Sequence, residues 1–245
     1  MKLKYLFLSK EKREQVENNQ FYIQKNIDES LKILEDTIEV LNMHQIDYYL
    51  DFGTLLGAIR DKALIPWDND IDISILNEED YFKIPEVLKD VRKKGYGAWV
   101  VKFYRTIINR KIKLKKEKLD DIYVDFNDIH FTDLFNYRMA EVRNKRKRFL
   151  RKKYKKGKNS MDIFFKYEKD GKLYWMAENR VHQLDSNALD RELIEIDFYH
   201  LKCKVPKNYE EYLTYIYGDW KTPHKDWTED DAATDVVFNT VESKK

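Results

Sequence analysis

The stretch DFGTLLGAIRDKALIPWDNDIDISI, Asp51–Ile75, sets Asp68, Asp70 and Asp72 at alternating positions, the last two inside an isoleucine-rich run. Alternation over IDISIL is the period of a β-strand, so Asp70 and Asp72 project to one face while Ile71 and Ile73 enter a core on the other. Same-face residues of a strand stand roughly 6.6–7 Å apart at their bases. Like charges that close need water or cations to neutralise them. The separation lets the two carboxylates converge on one ion or straddle two ions ~3.5–4 Å apart, as in two-metal phosphoryl-transfer sites. An all-oxygen ligand set of this kind selects Mg²⁺ or Mn²⁺.

A calcium loop fits the same spacing in part. With Asp68 at position 1, Asp70 and Asp72 fall at positions 3 and 5 and Glu79 at position 12. The sixth position requires glycine for its sharp turn, and the chain has β-branched Ile73 there, with Pro66 where the incoming helix should run. That reading is set aside.

Upstream of the aspartates, IDYYLDF reads as a strand entering a Gly53-Thr54 turn, and LLGAIR as one or two helical turns leaving it. Backbone N–H groups at such a turn approach a phosphate closely, and a helix start favours negative charge, which makes Gly53, Thr54 and Gly57 candidate phosphate-binding residues. Arg60 is a candidate phosphate clamp, or a surface cap. Trp67 could stack on a base or a choline-like cation, or fill the core. Asp68 supports the metal ligands from behind. No Gly-Lys-Ser/Thr follows the turn, so it is neither a Walker loop nor a dinucleotide fingerprint. Strand, Gly-[Ser/Thr] turn, short helix, then Asp-x-Asp on the next strand resembles a nucleotidyltransferase fold: α+β, a mixed β-sheet flanked by helices.

Further from this centre, Ile27, Leu31, Leu34, Ile38 and Leu41 form the seam of an amphipathic helix, with Asn26 and Glu29 as its cap. A helix is expected from about Glu78 to Lys94, ended by Gly95 and Gly97, then a strand through AWVVKFYRTII. Hairpins are expected in IYVDFNDIHFTDLF, around Asn127-Asp128, and in FFKYEKDGKLYW, around Asp170-Gly171. IEIDFYHLKCKVP and a helix NYEEYLTYIYG close the pattern. The organisation read from this is an N-terminal helical segment over 1–45, a catalytic domain over 46–223 and an acidic, mobile tail over 224–245.

Composition bounds the function. A chain of 245 residues, 42% hydrophobic and 14% aromatic, buries one enzyme-sized core. The single Cys203 excludes an internal disulfide and a cysteine-rich metal cluster. The apolar block YLFL is too short for a membrane span or a signal core, so a cytoplasmic protein is expected. The five histidines, His44, His130, His182, His200 and His224, show no metal-ligand spacing. Between Arg143 and Lys158 stand 11 basic residues and no acid, against a net charge of +2 for the whole chain. That run is either the solvated face of a helix or a contact to a polyanion such as anionic lipid at the inner membrane face. Its thin aromatic content does not favour nucleic acid.

GTLLGAIRDKALIPWDNDIDISI resembles the signature of the LicD family, which includes the fukutin-related proteins: Gly-Thr-Leu-Leu-Gly-x-x-Arg, then Ile-Pro-Trp-Asp-x-Asp-Ile-Asp. VPKNYEEYLTYIYGDWKTP, Val205–Pro223, is similar to the family's closing segment, and FTDLFNY to its Ile-Asp-Ile-Phe-Pro block. The resemblance implies a phosphotransferase that moves a phosphoalcohol, such as phosphocholine or a polyol phosphate, from a CDP-linked donor to a hydroxyl of a glycan or its lipid-linked precursor. It implies a third carboxylate beside Asp70 and Asp72. Asp133 in FTDLFNY is favoured, although Asn136 stands where a proline is common; Asp125 is the alternative and Asp219, in the Tyr217-Gly218-Asp219 block, the next. Two other functions remain open from the residues: nucleotide transfer to a small molecule on the same fold, and a non-catalytic polyanion-binding module.

Overall fold

A computed structural model describes residues 20–102, 137–144, 160–177, 180–225, 227 and 234–239. The expected hairpin around Asn127-Asp128, with Asp125 and Asp133, and the basic run beyond Asn144 lie outside the described residues.

The chain is α+β. Helix α1, Gln24–Met43, carries the expected seam, with Leu31, Leu34 and Leu41 buried. Its cap differs from the expectation. Asn26 lies inside the helix, and its amide donates to the carbonyl of Gln20 at 2.8 Å instead of closing the helix start. Strand β1, Tyr48–Leu50, leads at Asp51 directly into helix α2, Phe52–Leu56, which widens into one π turn, Gly57–Asp61. Gly53 and Thr54 therefore sit in the first helical turn, not in a separate turn before it. Strand β2 is Asp70–Ile75. A 3₁₀ segment, Glu78–Lys83, continues into α3, Ile84–Lys93, where Pro85 suits the helix start. Gly95 ends that helix with a φ of 104°, which glycine adopts without strain.

Strands β3, Tyr96–Lys102, β4, Tyr137–Asn144, and β5, Ser160–Phe165, complete a five-stranded mixed sheet in the order β1-β2-β5-β4-β3. Only β2 and β5 run parallel. Arg143 and Asn144, expected to open a basic helix, end β4 instead. A second sheet, ordered β11-β8-β7-β6, is made of β6, Tyr167–Lys169, β7, Lys172–Ala177, β8, Arg180–Asp185, and β11, Asp235–Asn239. The β6–β7 hairpin turns at Asp170-Gly171, both with positive φ, as the sequence predicts. Residues 235–239, expected in a mobile tail, are an edge strand antiparallel to β8. IEIDFYHLKCKVP folds back on itself as β9, Leu193–Phe198, and β10, Leu201–Pro206. Helix α4, Tyr209–Tyr217, follows and ends at Gly218, whose φ is 64°.

Alternation divides the large sheet. Ile71, Met161 and Val142 lie in register, as do Ile73, Ile163 and Ala140, and all six are buried, on the face that meets α1 and α3. The polar residues between them point the other way. No helix among the described residues is long and apolar enough to cross a membrane.

Candidate functional site

In-register pairing builds the site. Asp72 of β2 is opposite Asp162 of β5, which is opposite Glu141 of β4. Two residues along the same face, Asp70, Ser160 and Arg143 form the next row. Adjacent strands are ~4.8 Å apart, so carboxylates from three strands form a band across the sheet. Arg143 is ion-paired with Glu141 on its own strand, and its charge also acts on Asp162 and Asp70.

The acidic end of this band forms the floor of a cavity of about 470 Å³. Asp68, Asp70, Asp72 and Asp162 line it together with Gly53, Arg60 and Trp67. Phe52, Phe164, Trp175 and His182 form one wall, and Tyr217, Asp219, Trp220 and Trp227 another. Phe52 and Phe164 meet edge to face at 4.9 Å, and Trp175 stacks on His182 at 5.3 Å.

The aspartates are partly buried at the bottom of this cavity, and their charges oppose one another. Burial, then the charge of Asp70, pushes the Asp68 carboxyl up to about 7. Asp70 is raised by burial, although the hydrogen bond shared with Asp68 and the charge of Arg143 oppose the rise. Asp72 is raised well above the carboxylate range by burial and then by Asp70, Asp68 and Asp162. The carboxylates lie in a band and not around one point. Among the described residues, no three His, Cys, Asp or Glu side chains enclose a common metal position. The donor set, hard carboxylate oxygens on one side and open cavity on the other, fits Mg²⁺ or Mn²⁺ with positions left for substrate oxygens.

The backbone beneath Asp72 is fixed from both sides. Its N–H donates to the Thr54 hydroxyl at 2.9 Å, and its carbonyl accepts from the Asp51 N–H at 3.1 Å. Thr54 is thus buried and turned toward β2, away from the phosphate role expected of it. Gly57 is not at the cavity. A Cβ there would stand 2.5 Å from the Ala63 carbonyl, so the glycine lets the following loop pass close to the π turn. A Cβ on Gly53 would stand 2.5 Å from Asp68 Oδ2, and this glycine does open toward the acidic floor. Arg60 reaches the cavity but is engaged by Asp61 at 2.9 and 2.7 Å and by the Trp220 carbonyl at 3.5 Å. Gln20 donates to the Trp67 carbonyl at 3.1 Å and Phe21 N–H to the Asp68 carbonyl at 3.0 Å, which braces the loop carrying both side chains.

A second charged group lies under the site, unforeseen in the sequence. Asp51 and Lys166 are fully buried and paired at 2.7 Å. Asp51 also accepts from Tyr212 at 2.8 Å, from Phe52 N–H at 2.8 Å and from Ser74. Lys166 Nζ stands 4.8–5.3 Å from the ring centres of Phe52, Tyr212, Trp175 and Tyr49. Burial pushes its ammonium down and Asp51 holds it up. The pair anchors Phe52, which enters α2 with a φ of 42°, a conformation that bulky residues rarely adopt.

Asp162 lines the cavity although no expectation from the sequence named it. Its surroundings, Met161-Asp162-Ile163-Phe164, alternate like β2 and contain the Asp-Ile-Phe expected at Asp133.

Comparison with known proteins relates the chain to one family. The family described as LicD/FKTN/FKRP, nucleotidyltransferase domain, matches residues 45–208. An uncharacterized protein of Rickettsia typhi is 36% identical over 73 residues, which are 30% of this chain and 23% of that protein. An uncharacterized protein of Rickettsia prowazekii is 37% identical over 65 residues, 26% of this chain and 24% of the relative. The lipopolysaccharide cholinephosphotransferase LicD of Haemophilus influenzae is 40% identical over 57 residues, 23% of this chain and 21% of its own. Each match thus spans less than a quarter of the relative's length. With two thirds of its residues matched, and with the aspartates of β2 and β5 inside that match, the chain belongs to the LicD/FKTN/FKRP family.

Proposed function

We propose that the protein is a metal-dependent phosphotransferase that moves a phosphoalcohol from a CDP-linked donor to a hydroxyl of a cell-surface glycan or its lipid-linked precursor. The observation that carries the reading is the in-register placement of Asp72 and Asp162, with Asp70 beside them, on a cavity floor. In this reading Asp70, Asp72 and Asp162 would contribute oxygens to Mg²⁺ or Mn²⁺ bound along the band, the donor's phosphate oxygens completing the coordination, and Asp162 takes the place given to Asp133 or Asp125. The ion would neutralise charge on the donor's phosphoryl oxygens and on the departing CMP. The remaining work falls to the chain. Thr54 and Asp51 fix the Asp72 peptide, so the carboxylates need no rearrangement as the donor arrives. The cavity walls exclude water, which would otherwise compete with the acceptor hydroxyl. Asp68, which lines the same cavity and is not engaged by the ion, takes the hydroxyl proton.

The aromatic lining supports a choline-like alcohol over a polyol. Tryptophan and tyrosine faces attract a quaternary ammonium, whereas a polyol needs hydrogen-bonding groups. The relative named a lipopolysaccharide cholinephosphotransferase supports the same choice. A cytoplasmic site, with the basic residues of the run beyond Asn144, 145–158, holding the enzyme to an anionic membrane surface, fits a lipid-linked acceptor.

Incubation with Mg²⁺ and CDP-choline, CDP-ribitol or CDP-glycerol tests the reading through CMP release. CMP from CDP-choline in preference to the polyol donors is the expected result. Pyrophosphate release from CTP and a phosphoalcohol would identify nucleotide transfer instead.

A further inference from the structure

The family match ends at residue 208, yet the cavity does not. Nine of its lining residues, from Ile216 to Thr234, come from the chain beyond that point. The described residues of this part are anchored at two places. Near α4, Trp220 Nε1 donates to the Thr214 hydroxyl at 3.0 Å, and Trp227 packs on Tyr217 with ring centres 4.6 Å apart. At the second place, buried Thr234 lies 3.3 Å from His182 Nδ1, and β11 pairs with β8.

The cavity lining carries charges of both signs as a result. It includes Asp68, Asp70, Asp72 and Asp162 and also the exposed side chains of His224 and Lys225. Arg60, the lining cation that the sequence favoured as phosphate clamp, is already held by Asp61 and the Trp220 carbonyl. Among the described residues no carboxylate is paired with Lys225. An ammonium and a group of carboxylates that line one ligand-sized space are complementary to a ligand whose anionic groups meet the ammonium directly and the carboxylates through a divalent cation.

We propose that the segment beyond the family-matched region forms the specificity half of the site, in which Lys225 binds a phosphate of a nucleoside diphosphate and Trp227 forms the wall against the rest of the donor. The inference rests on the phosphotransferase reading and extends it: the aspartates perform the transfer, and the lining residues among 216–225, 227 and 234 choose what is transferred. No bond changes at Lys225. It acts as a fixed positive charge, and arginine can replace it.

The test compares wild-type protein with Lys225→Ala, Lys225→Arg and Trp227→Ala, with Lys202→Ala on the distant β9–β10 hairpin as a charge control. Equilibrium binding of CDP in the presence of Mg²⁺, binding of Mn²⁺ alone, and the KM and kcat of CMP release are measured. Lys225→Ala is expected to weaken CDP binding and raise the donor KM at least about tenfold, with a smaller change in kcat and unaltered Mn²⁺ affinity, while Lys225→Arg restores most of the loss. Trp227→Ala is expected to change the ranking of the CDP-alcohol panel. CDP affinity and panel ranking that match wild type in both alanine variants overturn the proposal. Equal losses in Lys202→Ala overturn it as well, since they would report net charge and not a site. A wild-type protein that binds Mn²⁺ but releases CMP from no donor overturns the phosphotransferase reading, and this inference with it.

Discussion

Asp162 and Glu141 both face the cavity side of the sheet, one strand apart, but their surroundings give them different work. Glu141 is buried and neutralised by Arg143 two residues away, whereas Asp162 stands beside Asp72. Asp162→Asn is therefore expected to lower CMP release by orders of magnitude with the fold intact, since removing one of several opposed charges does not weaken the metal-free protein. Glu141→Gln should cost far less activity, and a comparison of kcat with thermal unfolding separates the two. Lys166 is the residue on which stability depends most directly. Lys166→Met leaves Asp51 buried without its counter-charge, and such a loss costs about 3–5 kcal/mol. Adding Asp51→Asn to that variant should recover part of the loss in denaturant unfolding; strictly additive losses would show that the two groups are uncoupled.

Among the elements, the junction α2–π turn shows how much depends on two glycines. A methyl group at Gly57 meets the Ala63 carbonyl at 2.5 Å and Ile65 Cγ1 at 3.2 Å, atoms that cannot move aside cheaply. Gly57→Ala should cost about 1–3 kcal/mol. At Gly53 the obstacle is the end of the Asp68 side chain, which can rotate. Gly53→Ala should leave unfolding almost unchanged and weaken Mn²⁺ binding instead, and the pair of measurements checks both assignments. The sequence exposed the elements whose signal is local. Helix α1, strand β2 and the Asp170-Gly171 turn follow from periodicity and turn chemistry. Strand β5 was not legible because SMDIFF is a short apolar run whose parallel partner lies far away in the chain. Asp162 was missed for the same reason: FTDLFNY offered a similar block nearer the basic run, and nothing local identifies which aspartate pairs with Asp72. The buried Lys166 was hidden because burial of a lysine depends on Asp51 and four rings drawn from four separate elements or their edges.

For the whole molecule, the acidic floor makes stability depend on pH in an unusual direction. Asp68, pushed up to about 7, and Asp70 and Asp72, both raised, hold protons more tightly in the folded state than in the unfolded one. Their contribution is complete below the ordinary carboxylate range and is lost as pH rises through the raised values. With a chelator present, the melting temperature should fall between about pH 5 and about pH 8. Mn²⁺ should oppose that fall, because it binds the ionised carboxylates of the folded chain. A melting temperature that rises with pH in the chelated protein would show that the floor is compensated by charges other than the aspartates. The pairing that creates this floor also sets a clock. Asp70 and Ser160 are neighbours in the sheet yet 90 residues apart in the chain. At roughly 5–20 residues per second of synthesis, β2 waits on the order of several seconds for its partner to leave the ribosome. Until then Asp72 has no Asp162 beside it, the sheet has no centre, and an isoleucine-rich strand edge stays open to other chains. The nascent protein is thus most exposed to aggregation over the interval in which it has no active site to offer, and chaperone protection matters most there.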